Sequence, residues 1–415
     1  EVVKKRRNIN LFFSTDIEKY IGIADIVFIS VNTPTKTKGV GAGQASDLKW
    51  VEACARQVAK FAKGHTIVVE KSTLPVRTAE VIQKILEVAE LSSDREDEKK
   101  TFDVLSNPEF LSEGTAINDL ENPDRVLIGG VSKIAIDSLS NIYKNWVSEE
   151  KILKTNIWSS ELAKLTANAF LAQRISSINS ISALCETTGA DVREVSRAIG
   201  LDNRIGSKFL ESGPGFGGSC FKKDILNLVY LCKYYGLEEV ANFWEGVVLI
   251  NNWHQKRISK LVVKKLFGTL SGKKIAIFGF SFKANTNDTR ESAAIQICRD
   301  LIDEGAYLTI HDPKVDPKQI ALDLGISPLT QCKENKDKND LNINGCWTFS
   351  ESTDIFEEAH AALMLTEWAE YKNIDWELAA KKMISPAWIF DSRSIVNPEN
   401  IRKAKLNLWR VGDGS

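Results

Sequence analysis

A glycine-rich turn ending in a cysteine is the stretch of this chain best equipped for covalent chemistry. Gly213-Pro214-Gly215-Phe216-Gly217-Gly218-Ser219-Cys220-Phe221-Lys222-Lys223-Asp224 places four glycines within six residues, which lets backbone amides come close to a ligand. A helical pattern (Asp224, Ile225, Leu228, Val229, Cys232) begins where the turn delivers Cys220. Unpaired N–H groups at a helix start, with Lys222 and Lys223 nearby, would favour the thiolate, the nucleophilic form of cysteine. Asp224, four residues on, shares the same helical face. A lone cysteine is more often a small buried hydrophobe; the run of features around Cys220 favours the nucleophile.

The elements that must position this turn come from a long chain. At 415 residues there is room for two or three domains. The 54 basic and 55 acidic side chains leave no basic surplus, which argues against a nucleic-acid partner. No apolar run reaches the ~18 residues that span a bilayer, so no membrane partner is expected. The cysteines (Cys54, Cys185, Cys220, Cys232, Cys298, Cys332, Cys346) form no CxxC pair, and the four histidines show no metal-ligand spacing. A reducing, cytoplasmic setting and a small-molecule ligand are expected, with no metal and no disulfide framework.

Residues 1–130 read as strands alternating with helices. Asn10–Ser14 is a short apolar run and Asp16–Ile23 a short helix. Asp25–Val31, Thr66–Val69 and Phe102–Leu105 read as buried parallel strands. Between them come a helix from Ser46 to Ala62, with Ala53, Cys54, Val58 and Phe61 inward, and a helix Val76–Ala89 with Pro75 in its first turn. Three polar loops follow the strands: Asn32-Thr33-Pro34-Thr35, Glu70-Lys71-Ser72-Thr73 and Ser106–Glu113. In an open parallel sheet all three emerge at the carboxyl edge, where ligands sit, although any one alone would pass for an ordinary connection. No strand–GxGxxG–helix unit precedes Asn10, which implies a truncated amino terminus. Gly39-Val40-Gly41-Ala42-Gly43 follows a loop instead of a strand and reads as a flexible connection.

From Trp158 to about Leu266 the pattern is helical. Ser159 or Ser160 can cap a long helix with Leu162, Leu165, Ala169, Ile175, Ile178 and Leu184 apolar. Lys164 and Asn168 share one side of it, a placement that by spacing alone reads as a solvated face. The α/β pattern then resumes. Ile275–Phe280, a helix Ala293–Asp303 and Tyr307–Ile310 form a βαβ unit closed by Asp312, the acidic position of a nucleotide-binding half. Ala361–Leu365 and Trp388–Asp391 are further strands. A charged loop Leu91–Lys100 and a polar excursion Gln331–Asn344 carry no expected function.

Six motifs, GFGGSCFKKD (215–224), VNTPT (31–35), EKST followed by a proline (70–75), SNPEFLSEGTA (106–116), SSELAKLTANAFLAQR (159–174) and FKANTNDTRES (282–292), resemble the UDP-glucose 6-dehydrogenases in family order along nearly the whole chain. The resemblance implies an α/β protein with two Rossmann-like, doubly wound parallel-sheet domains joined by a long central helix and a helical dimerisation region. It divides the chain into an NAD-binding domain (1–157, truncated at its amino end), a central helical domain with the cysteine loop (158–266) and a UDP-sugar-binding domain (267–415). It further implies oxidation of UDP-glucose to UDP-glucuronate with two NAD+, through a thiohemiacetal and a thioester on Cys220.

The same resemblance assigns roles. Lys164 would stabilise the alkoxide and the tetrahedral oxyanions, and Asn168 would orient the same oxygen. Asp224 would handle protons with Lys164 and a water, Glu109 would act as general base in thioester hydrolysis, and Thr73 would position the water. Val31, Asn32, Thr33, Pro34, Thr35, Ser72, Glu113 and Arg290 match positions near NAD. Glu109, Phe110, Leu111, Glu113, Lys164, Asn168, Phe209, Leu210, Gly215, Phe216, Gly217, Phe221, Phe282, Lys283 and Arg393 match positions near the UDP-sugar. Arg204 matches an arginine that reaches the substrate of a neighbouring subunit, which implies a homo-oligomer with the long helix in its core.

Two departures qualify these implications. The family's first βαβ unit would need roughly 55–60 further residues, so the NAD expectation refers to a protein that has it, and the region Gly129–Ser132 is shorter than the pattern. Sister enzymes that oxidise GDP-mannose or UDP-N-acetylmannosamine use the same cysteine; Ser219 before it and Lys223-Asp224 after it resemble the UDP-glucose type. The remaining alternative is an inactive sugar-nucleotide-binding fragment, against which the retention of Cys220, Lys164 and Asp224 speaks.

Overall fold

The computed structural model describes residues 1–73, 75–91, 99–328 and 345–414, which form two compact units, Glu1–Ala167 and Asn168–Ser415. Most of the charged loop Leu91–Lys100, and all of the polar excursion Gln331–Asn344, lie outside the described residues.

The first unit runs α1 (Val2–Arg6), α2 (Ile17–Ile21), β1 (Ile26–Ile29), α3 (Lys49–Phe61), β2 (His65–Glu70), α4 (Thr78–Leu91), β3 (Thr101–Ser106), α5 (Ala116–Glu121), β4 (Val126–Gly129), α6 (Lys133–Tyr143) and β5 (Ile152–Thr155). The sheet order is β1-β2-β3-β4-β5. All neighbours are parallel except β3 and β4, which meet antiparallel at Ser106 and Gly129. Alternation along β2 explains its continuous apolar run. Val68 joins Ile29, Val51, Val58, Ile82 and Leu86 on one face, while Ile67 and Val69 join Leu105, Ile128, Leu139 and Tyr143 on the other. Helices cover both faces, so neither set of side chains can be polar.

Several local expectations change. The short apolar run Asn10–Ser14 contributes only an isolated bridge of Leu11 with Arg7, after a short helix that the sequence reading did not foresee. Strand β1 is less buried than its composition suggests, with Phe28 44% exposed. Helix α3 begins at Lys49 and turns Val51, Ala55 and Val58 inward, leaving Ala53 exposed and Cys54 and Phe61 half-buried. Helix α4 begins at Thr78, so Pro75 precedes it; the Thr78 hydroxyl donates to the Pro75 carbonyl at 2.7 Å.

Helix α7 (Ile157–Thr188) has 32 residues, beginning in the first unit and ending in the second. Its start is held by Asn156, whose Oδ1 accepts the Ser159 N–H at 2.8 Å, and not by Ser159 or Ser160. Leu165, Ala169 and Ile178 are buried as expected, but Leu162 and Leu184 are exposed. The buried positions also include Ser160, Glu161, Lys164, Asn168, Ser176, Asn179 and Ser182, which is why the apolar periodicity of this helix is weak.

The second unit continues with α8 (Val192–Gly200), α9 (Phe221–Tyr234) and α10 (Glu238–Lys265). Ile225, Leu228, Val229 and Cys232 of α9 pack with Ala169, Ala172, Ala241, Val247 and Val248. The second sheet then follows: β6 (Lys274–Phe278), α11 (Ala293–Asp303), β7 (Tyr307–His311), α12 (Pro317–Leu324), β8 (Cys346–Phe349), β9 (Ala359–Met364), α13 (Trp376–Lys382), β10 (Trp388–Asp391), α14 (Pro398–Lys403) and β11 (Asn407–Arg410). Its order is β11-β10-β9-β6-β7-β8, parallel throughout. The direction of winding reverses between β6 and β9, and the crevice outside the carboxyl ends of those strands is where such sheets bind nucleotides. No helix among the described residues is long and apolar enough to cross a membrane.

Candidate active site

In the first unit the three polar loops do meet at the carboxyl edge. Lys71 N–H donates to the Ile29 carbonyl and Asn107 N–H to that of Glu70. The Ser72 hydroxyl donates to Val31 O at 2.8 Å, and the Thr33 hydroxyl to Thr73 O at 2.9 Å. The loop after β1 closes on itself through Pro34 O, which accepts Asp47 N–H, and Lys36 O, which accepts Gly43 N–H. Gly39–Gly43 is therefore the tip of a closed loop and no dinucleotide turn. An edge built from three adjacent parallel strands, with hydroxyl side chains locking the backbone of Val31–Thr35 and Ser72–Thr73, suits one part of a dinucleotide site. Val31–Thr35 and Ser72 are compatible with a dinucleotide in that respect; Glu113 lies on the loop after β3 of the same unit, and Arg290 belongs to the second unit.

Lys164 is buried, with 4% of its surface exposed. Its Nζ lies 3.2 Å from Glu109 Oε1 and 5.3 Å from the centre of the Phe110 ring. Arg125 also lies over the Phe110 ring, its guanidinium carbon 3.8 Å from the ring centre, a cation–π contact the sequence reading missed. Glu109 Oε2 accepts the Leu111 N–H at 2.6 Å, which fixes the carboxylate against its own loop. Lys71 Nζ donates to Asn107 Oδ1 at 3.0 Å and to Tyr143 Oη at 3.1 Å. Burial pushes the Lys71 ammonium down to about 8; Glu109 opposes that shift and the charge of Lys164 adds to it. The result is a fixed cation paired with a half-exposed carboxylate beside the Thr73 loop.

In the second unit Cys220 is the residue that starts α9, half-buried, with Ser219 Oγ 3.3 Å from its sulfur. Lys222 is bound to Glu291 at 2.7 Å, so one of the two lysines expected beside the thiol has its charge directed elsewhere. Asp224 and Asn168 are both buried, and Asn168 Nδ2 donates to Asp224 Oδ2 at 2.6 Å. The expected solvated face of α7 is thus an inward one: Asn168 is held by the residue one turn past the cysteine.

The glycine stretch is tightly packed. Asn251 of α10 accepts Phe216 N–H at 2.8 Å and donates to Phe216 O at 3.2 Å. Asn179 accepts Gly213 N–H at 2.9 Å, and His254 Nε2–H donates to Gly213 O at 2.9 Å. Burial, aided by Arg257, pushes His254 down to about 3, so it holds the loop as a neutral imidazole. The sequence reading missed these three residues, and their only signal was polar side chains on otherwise apolar helical faces. At Gly217 an added Cβ would lie 2.5 Å from Glu291 O and 2.9 Å from Phe282 Cβ. Gly217→Ala must therefore displace backbone, and a loss of roughly 100-fold in kcat/KM is expected from a misplaced cysteine turn. Steady-state kinetics with circular dichroism checks this; unchanged kinetics would show that the turn does not need its spacing.

The same packing brings Gly213 to Arg393, and Gly217 and Gly218 to Phe282, at the sheet edge. Gly218 N–H donates to Arg290 O at 2.8 Å, and the Arg290 side chain pairs with Asp288. Arg393 donates to Leu365 O at 2.8 Å and Phe282 O at 2.9 Å, and pairs with Glu367 at 3.1 Å. Lys283 Nζ lies 5.5 Å from the Phe282 ring centre. Asp312, the acidic residue that follows β7, is held by its own fold. Its buried carboxylate accepts Phe280 N–H, Ser281 N–H, the Ser281 hydroxyl, Lys314 N–H, Val315 N–H and Trp368 Nε1–H. Those six donors consume it as the brace of the β6 turn.

Arg204 stands on the surface, its side chain 88% exposed and paired with Asp202. The loop beyond it is clamped by Arg174 of α7, which donates to Ile205 O, Gly206 O and Lys208 O at 2.9, 2.6 and 2.8 Å. Phe209 follows in the left-handed region (φ 63°), half-exposed, with Leu210 buried.

One chain that carries both a dinucleotide-type sheet edge and a cysteine poised at a helix start has the equipment of an oxidoreductase that works through a covalent adduct. Comparison with known proteins agrees. Family models for UDP-glucose/GDP-mannose dehydrogenases match residues 1–147 (NAD binding domain), 158–253 (central domain) and 276–398 (UDP binding domain). The chain belongs to the UDP-glucose/GDP-mannose dehydrogenase family. It is 53% identical over 416 residues to a UDP-glucose 6-dehydrogenase of Drosophila melanogaster, covering 99% of this chain and 85% of that protein. With UDP-glucose 6-dehydrogenase 1 of Arabidopsis thaliana it shares 49% identity over 424 residues, covering 99% and 86%. The solved UDP-glucose dehydrogenase of Pyrobaculum islandicum superposes with a TM-score of 0.80 at 27% identity, covering 100% of this chain and 84% of that one.

Proposed function

We propose that this protein catalyses the NAD-dependent, four-electron oxidation of UDP-glucose to UDP-glucuronate. The observation that carries the reading is Cys220 at the start of α9, one turn before a buried Asp224 that is bonded to Asn168. Bound NAD supplies the hydride acceptor for both oxidations. Cys220 adds to the aldehyde carbon, keeping it as a thiohemiacetal and then a thioester until water releases the carboxylate and regenerates the thiol. Lys164 bears the positive charge that stabilises the oxygen anions, and Asn168 orients that oxygen. Asp224 takes part in proton handling, Glu109 removes the proton of the hydrolytic water, and Thr73 positions that water.

Val31–Thr35, Ser72, Glu113 and Arg290 are the proposed cofactor residues. Phe110, Leu111, Phe209, Leu210, Gly215, Phe216, Gly217, Phe221, Phe282, Lys283 and Arg393 are proposed for the UDP-sugar, within a three-part organisation of 1–157, 158–266 and 267–415. A homo-oligomer, with Arg204 serving a neighbouring subunit, is supported by the exposure of Arg204 and of Leu162, Phe170, Ile181 and Leu184 on α7. The cytoplasm is the proposed location, where a free thiol nucleophile persists.

The test is product stoichiometry. Two NADH are expected for each UDP-glucose consumed, with UDP-glucuronate as the only sugar product and GDP-mannose and UDP-N-acetylmannosamine turned over at least about 100-fold more slowly. One NADH with free aldehyde, or equal turnover of a rival sugar, would refute the assignment.

A further inference from the structure

Two buried carboxyl groups of the first unit have no part in the chemistry above. Glu70 ends β2 and Glu161 lies in the first turns of α7, each only 2% exposed. Glu161 accepts the backbone N–H of Arg77 at 2.6 Å through Oε2 and that of Ala79 at 2.8 Å through Oε1, with the Thr78 amide also bonded to it. Glu70 is hydrogen-bonded to the Glu161 carboxyl, yet its Oε2 meets no N–H or O–H donor. Two ionised carboxylates cannot hydrogen-bond to each other, and an isolated buried charge is costly. A proton must therefore lie between them. Burial raises both carboxyls, but the three amides that converge on Glu161 oppose its rise, whereas burial and the neighbouring Glu161 push Glu70 well above the usual carboxylate range, so the proton resides on Glu70.

The place held by this pair matters. The segment from Glu70 to Thr78 carries Lys71, Ser72 and Thr73, and it ends at Arg77, which has φ 77°. A non-glycine residue in the left-handed region is strained and persists only where its surroundings hold it. Here the Glu161 carboxylate holds the backbone through the Arg77 N–H, while the Arg77 side chain pairs with Glu80 and lies over Trp158. Glu161 is also three residues before Lys164 on the same helix, so one side chain ties the helix that bears Lys164 to the far end of the loop that bears Thr73.

We infer that Glu70 and Glu161 share one proton and act together as positioning residues, the neutral Glu70 fixing the Glu161 carboxylate that holds the strained Arg77 turn and with it the Thr73 loop. This rests on the reading of Thr73 and Lys164 as parts of the oxidation machinery. The pair itself touches no reacting atom. Its two members are predicted to be unequal, because glutamine reproduces a neutral carboxyl but not an anion that accepts several amides. In Glu161→Gln the amide NH2 would face a backbone N–H and leave it unsatisfied.

The experiment uses the full chain, with Glu70→Gln and Glu161→Gln compared with the unaltered protein. Infrared spectroscopy of the unaltered protein at neutral pH should show a protonated-carboxyl carbonyl band that disappears in Glu70→Gln. Glu70→Gln should keep kcat within about two-fold, whereas Glu161→Gln should lose roughly 100-fold in kcat, the scale of a misplaced reacting group, with the KM for UDP-glucose little changed. A missing band, a band that survives Glu70→Gln, equal losses in the two variants, or near-normal kcat in Glu161→Gln would overturn the inference. Should Glu161→Gln fail to fold, the band and the kcat of Glu70→Gln decide it. An unaltered protein that shows the band but does not oxidise UDP-glucose would sink the functional reading and leave the shared proton standing.

Discussion

Replacing Cys220 by serine is expected to abolish formation of UDP-glucuronate while leaving UDP-glucose bound as before. The oxygen of serine fits the space of the sulfur, so the packing around Phe216 and Phe221 is undisturbed. A serine hydroxyl at this position, with Ser219 as a close side-chain neighbour, stays protonated at neutral pH and is a far weaker nucleophile than a thiolate. Loss of an enzyme's nucleophile is felt at about 10^4-fold or more in kcat. Isothermal titration with UDP-glucose should return an affinity within about two-fold of the parent. Acid formation at more than a few per cent of the parental rate would remove Cys220 from the mechanism. Lost binding together with lost turnover would mean that the substitution had disturbed the turn and not only the covalent step.

Lys164→Met carries the second large effect. Methionine keeps most of the apolar stem and deletes the ammonium, so the change isolates the charge from the packing. A buried cation is costly to maintain, and its retention at 4% exposure beside Glu109 and Phe110 is intelligible if negative charge develops near it during turnover. Losing one such stabiliser is expected to lower kcat by about 10^3-fold, near the range for an oxyanion donor. Glu109, being partly exposed, can be solvated when its partner is removed, so the fold should survive. Lys164→Arg should not restore the rate, because the larger, planar and delocalised guanidinium does not present the compact point charge of an ammonium at this buried position. Single-turnover kinetics would check this; a kcat within ten-fold of the parent would show that Lys164 is only structural.

Much of the architecture was legible because it depends on local rules. Strands buried on both faces must be continuously apolar, and β2, β3, β6 and β7 are found within a residue or two of where Val, Ile and Leu runs place them. The helix Ala293–Asp303 and the strand Trp388–Asp391 stand at the residues expected. Failures occurred where long-range contacts override a local pattern. Phe28 has the composition of a core residue yet faces outward. Of the six donors that Asp312 satisfies within its own fold, those of Phe280, Ser281 and Trp368 belong to residues that no local pattern links to it. Polar residues on α7 look like a solvent face until other elements of the chain cover them.

The order of polar loops, the cysteine at a helix start and the family itself were determined by the amino-acid sequence alone, because motif spacing is one-dimensional information. The partners of those motifs were decided only in three dimensions. Asn168 with Asp224, Lys164 with Glu109, and Glu161 with the amides of Arg77 and Ala79 are separated by 56, 55 and more than 80 residues along the chain. No periodicity connects such positions. Only the closing of each fold brings a buried polar group to the one donor or acceptor that compensates for its lost water.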